Sequence, residues 1–557
     1  MLGTYSYPKF EYVAPPELKS GETGRYPVVV VGAGPVGLAA AIELAQSGLP
    51  VVVLDDDDTV SVGSRGVCYA KRALEILDRI GVGDACVARG VSWNVGRTFF
   101  REDEVYNFNL LPQPDHKRPG MINLQQYYLE EFLVRRAREL PDLDLRFRNR
   151  VVSVSPAGNG ATLQVETPDG AYTLTADWLI VADGARSAIR GMMNLDIEGR
   201  VFLDRFLIAD VVMKADFPAE RWFWFDPPFH PGQSVLLHRQ ADSVYRIDFQ
   251  LGWQADPEEE KKPEKVIPRI RAMLGADREF ELEWVSVYTF QCRRMQQFRH
   301  GRVLFVGDAA HQVSPFGARG ANSGIQDSDN LCWKLRLVLD GKAPDSLLDS
   351  YSEERVFAAD ENIMNSTRST DFITPKSRTS LNFRNAVLTL ARDHAFARAL
   401  VNSGRLSVPS ILTESRLNTP DDDAFAGDMV PGAPMDDAPM REDGAEFWLL
   451  DRVGNRFMML VHVEDPAAVD ANLAREFKSL AGGPIPLEVV LVSAKLGRAP
   501  EGLRVFEDGR GRFAERYDSA PGTVYLIRPD QHVTARWRAF DAGRAKAALA
   551  RATCNNH

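Results

Sequence analysis

Gly32, Gly34 and Gly37 stand as G-x-G-x-x-G, directly after the β-branched run Val28–Val31 and at the head of an apolar, alanine-rich stretch that begins at Pro35 and stops at Gly48. That spacing suits the holding of a pyrophosphate. Gly32 makes the turn out of a strand, Gly34 lets phosphates approach the backbone, and Gly37 lets helix and strand pack closely. The helix start then turns unbonded N–H groups toward the negative charge. Asp55 closes the next apolar run, about twenty residues on, where a carboxylate reads a ribose hydroxyl and disfavours a 2′-phosphate. These residues predict a strand–turn–helix–strand unit for FAD or NAD rather than NADP.

Residues 307–327, GDAAHQVSPFGARGANSGIQD, choose between the two. A flavoprotein must cradle a ribityl chain and a flat ring. Asp308 ends the apolar run Val303–Val306, so a carboxylate at a strand end reaches ribityl hydroxyls. Gly317, Gly320 and Gly324 allow backbone N–H groups to lie against a planar ring. Ile325, Leu331, Cys332, Leu335 and Val338 then share one helical face up to Gly341. The start of that helix favours an anionic reduced ring by ~0.3–1 kcal/mol. The reading is FAD, with little bulk in the segment because a ring must fit there.

The elements that must position these residues follow from composition and pattern. At 557 residues the chain is too long for one core. An arm over 1–24 precedes a discontinuous FAD-binding domain, 25–200 and 296–400. Residues 201–295 alternate as strands do and predict a substrate-binding sheet with one open face. A Pro-, Asp- and Gly-rich linker is expected over 401–444, and short strands with a closing helix form a domain over 445–557. The net charge of −11 argues against a nucleic-acid partner, which needs basic patches. The five cysteines are scattered with no C-x-x-C pair, as in a reduced cytoplasmic protein. The first residues do not read as a secretion signal, and no run is long and apolar enough for a membrane.

VVVGAGPVGLAAAIELA, LIVADGARSAIR and GDAAHQVSPFGARGANSGIQDSDNLCWKL together resemble the fingerprints of the single-component FAD-dependent aromatic hydroxylases, the p-hydroxybenzoate hydroxylase superfamily. The tail, YLIRPDQHVTARWR, is similar to the thioredoxin-like C-terminal domain of phenol hydroxylase. The branch indicated holds 3-(3-hydroxyphenyl)propionate hydroxylase, phenol hydroxylase and polyketide hydroxylases. The resemblance implies an α/β fold: a Rossmann-like FAD-binding domain with an inserted mixed β-sheet substrate domain, plus a thioredoxin-like α/β domain. It also implies residue roles. Asp183 and Gly184 lie near the pyrophosphate and the reductant, Arg65 reaches the flavin side, and Gln126 touches the phosphate–ribityl region. Asp308 binds the ribityl chain, Pro315 stands beside the ring, and Gly317, Gly320, Ala321 and Asn322 complete the ring-side loop, as Pro35 completes the pyrophosphate turn. Arg319 stands where many members have glutamine, and its role is open. The implied chemistry is hydroxylation of a phenol with NAD(P)H and O₂ through a C4a-hydroperoxyflavin, in a homodimer.

The substrate wall is expected from the 201–295 sheet. Trp222, Trp224 and Tyr245 offer stacking surfaces, His238 or Tyr288 a relay for the phenolic proton, and Arg246 a carboxylate partner. Overall similarity favours a carboxylated phenol over a polyketide. A flavin-dependent halogenase fits less well, because Trp222-Phe223-Trp224-Phe225 runs on into Asp226-Pro227 and not into the W-x-W-x-I-P of that class. A flavin oxidase or dehydrogenase without oxygen transfer, and a flavin-bound non-catalytic scaffold, stand as alternatives.

Overall fold

The structure is a computed structural model that describes residues 3–401, 406–495 and 497–555. The chain divides into two units. One holds residues 1–112, 119–326 and 359–408; the other holds 113–118, 327–358 and 409–557.

The first unit is built on a parallel sheet. Its strands run in the order Val303–Phe305, Gly170–Val181, Gly24–Val31, Val51–Leu54, Leu143–Arg146, each parallel to its neighbour. Val28, Val29 and Val30 are wholly buried, the setting in which a strand reads as an unbroken apolar run. The helix Pro35–Gln46 follows the first strand directly and packs against the helix Gln126–Arg138.

A second, mixed sheet in the same unit runs His311–Gln312, Phe280–Arg294, Glu198–Met213, Val244–Leu251, Ser234–Arg239, Arg221–Phe225, Val95–Phe100, Asp103–Asn109. The sheet expected over 201–295 therefore takes three strands, Val95–Phe100, Asp103–Asn109 and His311–Gln312, from the stretches assigned to the FAD-binding domain. Val95–Phe100 joins it by parallel pairing with Arg221–Phe225, a long-range register that alternation alone does not reveal. Strand alternation divides the residues between two faces. Leu207, Ala209, Val211, Val235, Leu237, Ile247 and Phe249 face the helix Pro263–Leu274, whose Val266 and Ile270 are wholly buried. Phe206, Phe223, Phe225, Leu236 and Phe290 face the opposite way and share a core with Phe316. The Phe316 ring stands 4.8 Å from Phe206 and 5.1 Å from Phe290, so the turn Pro315–Gly317 is packed onto the sheet.

The second unit has a thioredoxin-like core. Phe457–His462, the helix Ala471–Ala481 and the parallel strand Leu487–Ser493 are followed by the antiparallel pair Val524–Ile527 and Val533–Trp537 and the helix Ala542–Ala552. The stretch expected as a linker does not run free. Residues 402–405 of it lie outside the described residues. In the remainder, Thr419, Gly432 and Met435 donate backbone bonds to Thr534, Val533 and Gln531, and Pro439–Glu442 is a strand of the C-terminal sheet. Met435, Ala438 and Met440 are buried. Within this stretch Asp421 pairs with the buried Arg536, and Asp422 with Arg544.

Candidate functional site

The glycine turn is shaped by close approach. Gly32 has φ +107°, and a Cβ there would collide with the carbonyl of Ala182 at the end of the neighbouring strand. A Cβ on Gly37 would run into the carbonyl of Gly32, so no side chain is tolerated where helix meets strand. Above Gly34 nothing lies within 4 Å of a Cβ position, which leaves its backbone open to a ligand. Pro35, at the first helical position, presets the turn of the helix that follows. Asp55 grips this turn: its carboxylate accepts the N–H of Ala33 at 2.6 Å and of Asp57 at 2.9 Å. Burial raises its pKa to about 6 against the pull of those two N–H groups.

A cleft of about 700 Å³ runs over this turn, lined by Gly32, Gly34, Asp55, Arg65, Asp183 and Gly184 among others. Asp183 Oδ2 accepts the N–H of Ile189 at 3.1 Å, whereas its Oδ1 is buried without a hydrogen bond. Gly184, at φ +78°, has open space beside it. A bare backbone at Gly34 and Gly184, an exposed arginine and an unsatisfied carboxylate oxygen fit a dinucleotide.

The ring-side segment meets the same cleft end through contacts with Val36. A Cβ on Gly324 would lie 2.6 Å from Val36 and 3.2 Å from the Cα of Gly307. Two helix starts and a strand end thus converge, Pro35, Gly320 and Gly307. Asp308 is exposed at this point, and its Oδ1 lies 3.9 Å from a Cβ position on Gly320. Pro315 is exposed, Gly317 is buried, and Ala321 is partly covered. Asn322 turns its amide inward: Oδ1 accepts the N–H of Ala70 at 2.8 Å, and Nδ2 donates to the carbonyl of Cys68 at 2.9 Å. It ties the helix Gly320–Leu339 to the strand Cys68–Ala70.

Gln126 is also spent within the protein. Its Oε1 accepts from the N–H of Gly66 at 2.9 Å, and its Nε2 donates to Glu130 at 2.7 Å and Ser61 at 3.2 Å. It holds the loop 61–66, whereas Glu130, one helical turn later and not singled out in the sequence, lines the cleft. Tyr7 holds the same loop from the N-terminal arm by accepting the N–H of Gly63 at 3.0 Å.

On the open face of the mixed sheet, directly paired residues make a charged row: Asp210 opposite Arg246, Arg246 opposite His238, His238 opposite Arg221. Asp248, Phe206 and Tyr288 share this face. His238 is buried; its Nδ1 has no hydrogen bond and its Nε2 lies 4.0 Å from Cys68 Sγ. Burial, reinforced by Arg221 and Arg246, holds its pKa well below the usual histidine range, so the ring is neutral. Burial pushes the Tyr288 phenol up, against the pull of Arg246. Arg246, expected to hold a substrate carboxylate, already has one. Its guanidinium donates to Asp248 at 2.8 and 3.3 Å, and to the carbonyl of Ser64 at 2.6 Å.

Asp210 was not foreseen. It accepts the hydroxyl of Ser64, and burial pushes it to about 7 even with Arg246 beside it. A carboxylate set in the apolar run FLIADVVM is the signal that would have found it. Trp222, Trp224 and Tyr245 pack on the opposite face with the helix Pro263–Leu274, so they do not wall this site.

The family model described as "FAD binding domain" matches residues 25–366. The chain belongs to this family. It is 27% identical over 572 aligned residues to the 3-(3-hydroxy-phenyl)propionate/3-hydroxycinnamic acid hydroxylase of Paraburkholderia xenovorans (strain LB400), covering 92% of this chain and 89% of that one. It is 32% identical over 336 residues to a probable NADH-specific resorcinol 4-hydroxylase of Rhodococcus jostii (strain RHA1), covering 59% of this chain and 62% of that one. In fold it is similar to the flavin-dependent monooxygenase PieE in complex with FAD and substrate, with a TM-score of 0.80, 23% identity and coverage of 96% and 99%. Aklavinone-11 hydroxylase with FAD and aklavinone follows at 0.75, with 21% identity over 96% of this chain and all of that one. This flavoprotein is a single-component monooxygenase of the aromatic-hydroxylase kind, and FAD is its cofactor.

Proposed function

We propose that this flavoprotein hydroxylates the ring of a phenolic substrate bound between the charged row and the turn Pro315–Gly317, with NAD(P)H as reductant. What supports this reading is the position of a buried, cationic sheet face beside a cleft built for FAD. Gly32, Gly34, Asp183 and Gly184 would hold the pyrophosphate end, with Asp55 fixing the turn and Arg65 above it. Asp308 and the Gly317–Ala321 backbone would hold the ribityl and ring end. FAD supplies hydride acceptance and oxygen activation when bound.

The chain's own residues prepare the phenol. Arg246 stabilises the phenolate over the phenol, which raises the electron density of the ring carbon to be attacked. His238 Nδ1, neutral and unbonded, accepts the phenolic hydrogen bond and passes the proton on. Asp210, near the operating pH, is matched to store it. Tyr288 and the aromatic core around Phe206 and Phe316 exclude water from the ring. The chain works as a homodimer in this reading. Phe383, Leu390, Phe396 and Leu400 leave an apolar surface on the helices Arg378–Ala391 and Ala395–Leu400, and sedimentation tests it. The five cysteines, free among the described residues, suit a cytoplasmic setting.

The test is NADH and NADPH consumption by the purified protein against a panel of phenols, with products identified by mass. A phenol that accelerates consumption and gains one oxygen atom supports the reading. Stimulated consumption that yields only peroxide would make the protein an oxidase. Consumption indifferent to every phenol would leave the scaffold.

A further inference from the structure

The buried arginines of this chain have a hydrogen-bond or ion-pair partner, with one exception among the described residues. Arg246 has Asp248, Arg146 has Glu17, and Arg528 has Glu354 and Asp530. Arg221 is only 4% exposed and, among the described residues, makes no hydrogen bond and no ion pair; its guanidinium lies 5.3 Å from the ring of Phe223. An unpaired buried guanidinium is one of the most unfavourable groups a fold can carry, and it is retained where a ligand completes it.

Its position says what that ligand is. Arg221 ends the row Asp210–Arg246–His238–Arg221, on the strand three places from Asp210, or ~14 Å across the sheet at ~4.8 Å per strand. The Asp210 end is the one joined to the cofactor loop, through Ser64. Asp248 pairs with Arg246 and Asp210 stands at the other end of the row, so the cation on this face without a carboxylate bonded to it is Arg221. A planar fork of this kind matches a carboxylate with two parallel bonds.

We propose that Arg221 anchors a carboxylate of the substrate, and that the substrate is therefore a phenolic acid and not a neutral phenol. This rests on the hydroxylase reading for the identity of the site, but the binding it asserts is measurable apart from turnover. The ring lies toward the cofactor loop, with the acid group at the far end of the row. Arg221 thereby fixes both the class of substrate and which end of it enters first.

The FAD-loaded full chain and its Arg221→Met and Arg221→Lys variants are titrated calorimetrically. The probes are hydroxybenzoate, hydroxyphenylacetate and hydroxyphenylpropionate, and the primary amide of each. At least one acid binds the unmodified protein more tightly than its amide. Arg221→Met weakens that acid ~100-fold, the loss expected for one partner of a buried charge pair, and leaves the amide unchanged. Arg221→Lys falls between. Without ligand, Arg221→Met melts at the same temperature or higher, since an uncompensated buried charge has been removed.

The proposal is overturned if no acid binds, if acids and amides bind alike, or if Arg221→Met weakens both equally. The two readings separate cleanly. Arg221-dependent binding of an acid that yields no oxygenated product by mass keeps the anchor and removes the hydroxylase. Equal hydroxylation of acids and neutral phenols removes the anchor and keeps the hydroxylase.

Discussion

Two residues show how little freedom the site allows. A methyl group at Gly37 meets the carbonyl of Gly32, which is backbone and has no rotamer by which to yield. Gly37→Ala is expected to purify with substoichiometric FAD and to melt lower, by several degrees, because small-to-large changes in a tight contact cost ~1–3 kcal/mol; flavin absorbance per protein checks it. Asp210 acts through its proton. Its folded pKa of about 7 lies above the 3.8 of an unperturbed aspartate. Between those values the folded chain holds a proton that the unfolded chain has released, so stability falls as pH rises through the window, by up to ~1.4 kcal/mol per pH unit. Asp210→Asn removes that slope. Melting temperature against pH for the two proteins gives the difference directly, with Asp55 common to both. At this scale the glycine turn was legible in the sequence, because close backbone approach forces it; Asp55, expected at a ribose hydroxyl, grips that turn through the N–H groups of Ala33 and Asp57. Arg221 and Asp210 were not legible, since the two-residue period of a strand says that residues share a face and not which face meets the ligand. Asp248, two residues after Arg246, shares its face by that same period, and the structure shows the two paired.

Among the elements, the loop 61–66 connects the most parts. Gln126 holds it from a helix, Tyr7 from the N-terminal arm, and Arg246 with Asp210 from the mixed sheet. It carries Arg65, which lines the cleft. Gln126→Ala unbinds the N–H of Gly66 and leaves Glu130 without one of its donors. The expected result is weaker FAD retention, about tenfold for a lost hydrogen bond of ~1.5 kcal/mol, with Arg65 still present; dialysis against potassium bromide followed by flavin titration measures it. If retention is unchanged, the loop is held well enough by the sheet alone. The sequence placed Gln126 at the cofactor through resemblance, and its amide reaches the loop that lines the cleft. Side-chain direction at the start of a helix is decided by the loop packed on it, which pattern does not encode. The pair of strands Val95–Asn109 was missed for a related reason: their partner in the sheet lies more than a hundred residues on.

For the molecule as a whole, the second unit rests on a buried charge cluster. Glu354 accepts from Lys334 at 2.7 Å and from Arg528 at 2.6 Å, and all three side chains are at most 2% exposed. Although burial opposes ionisation, Arg528 and Lys334 hold the Glu354 carboxyl far below its usual range. Glu354→Gln leaves two cations facing one carboxylate, Asp530, and is expected to cost ~3–5 kcal/mol, the usual penalty for breaking a buried pair. Urea unfolding of the full chain tests it, and the loss shrinks as pH falls below about 4.5, where the unfolded glutamate takes up a proton. The general plan of cofactor domain, sheet and thioredoxin-like tail was readable from motif order. The stretch expected as a linker was not, because Asp421 and Asp422 signal solvent until Arg536 and Arg544 are brought to them.

The sheet pairings also set a timetable for synthesis. Gly24–Val31 needs Gly170–Val181, which needs Val303–Phe305; Val95–Phe100 needs Arg221–Phe225; Glu198–Met213 needs Phe280–Arg294. As the chain leaves the ribosome, neither sheet closes until residues beyond 300 have emerged, and for all that time their unpaired edges are exposed. Ribosome-bound chains stopped before residue 300 should be cut readily by protease, and those released beyond the last strand should resist it. Such long-range closure is slow and prone to aggregation. The yield of this protein in a foreign host will therefore follow growth temperature and chaperone supply more closely than the melting temperature of the finished fold.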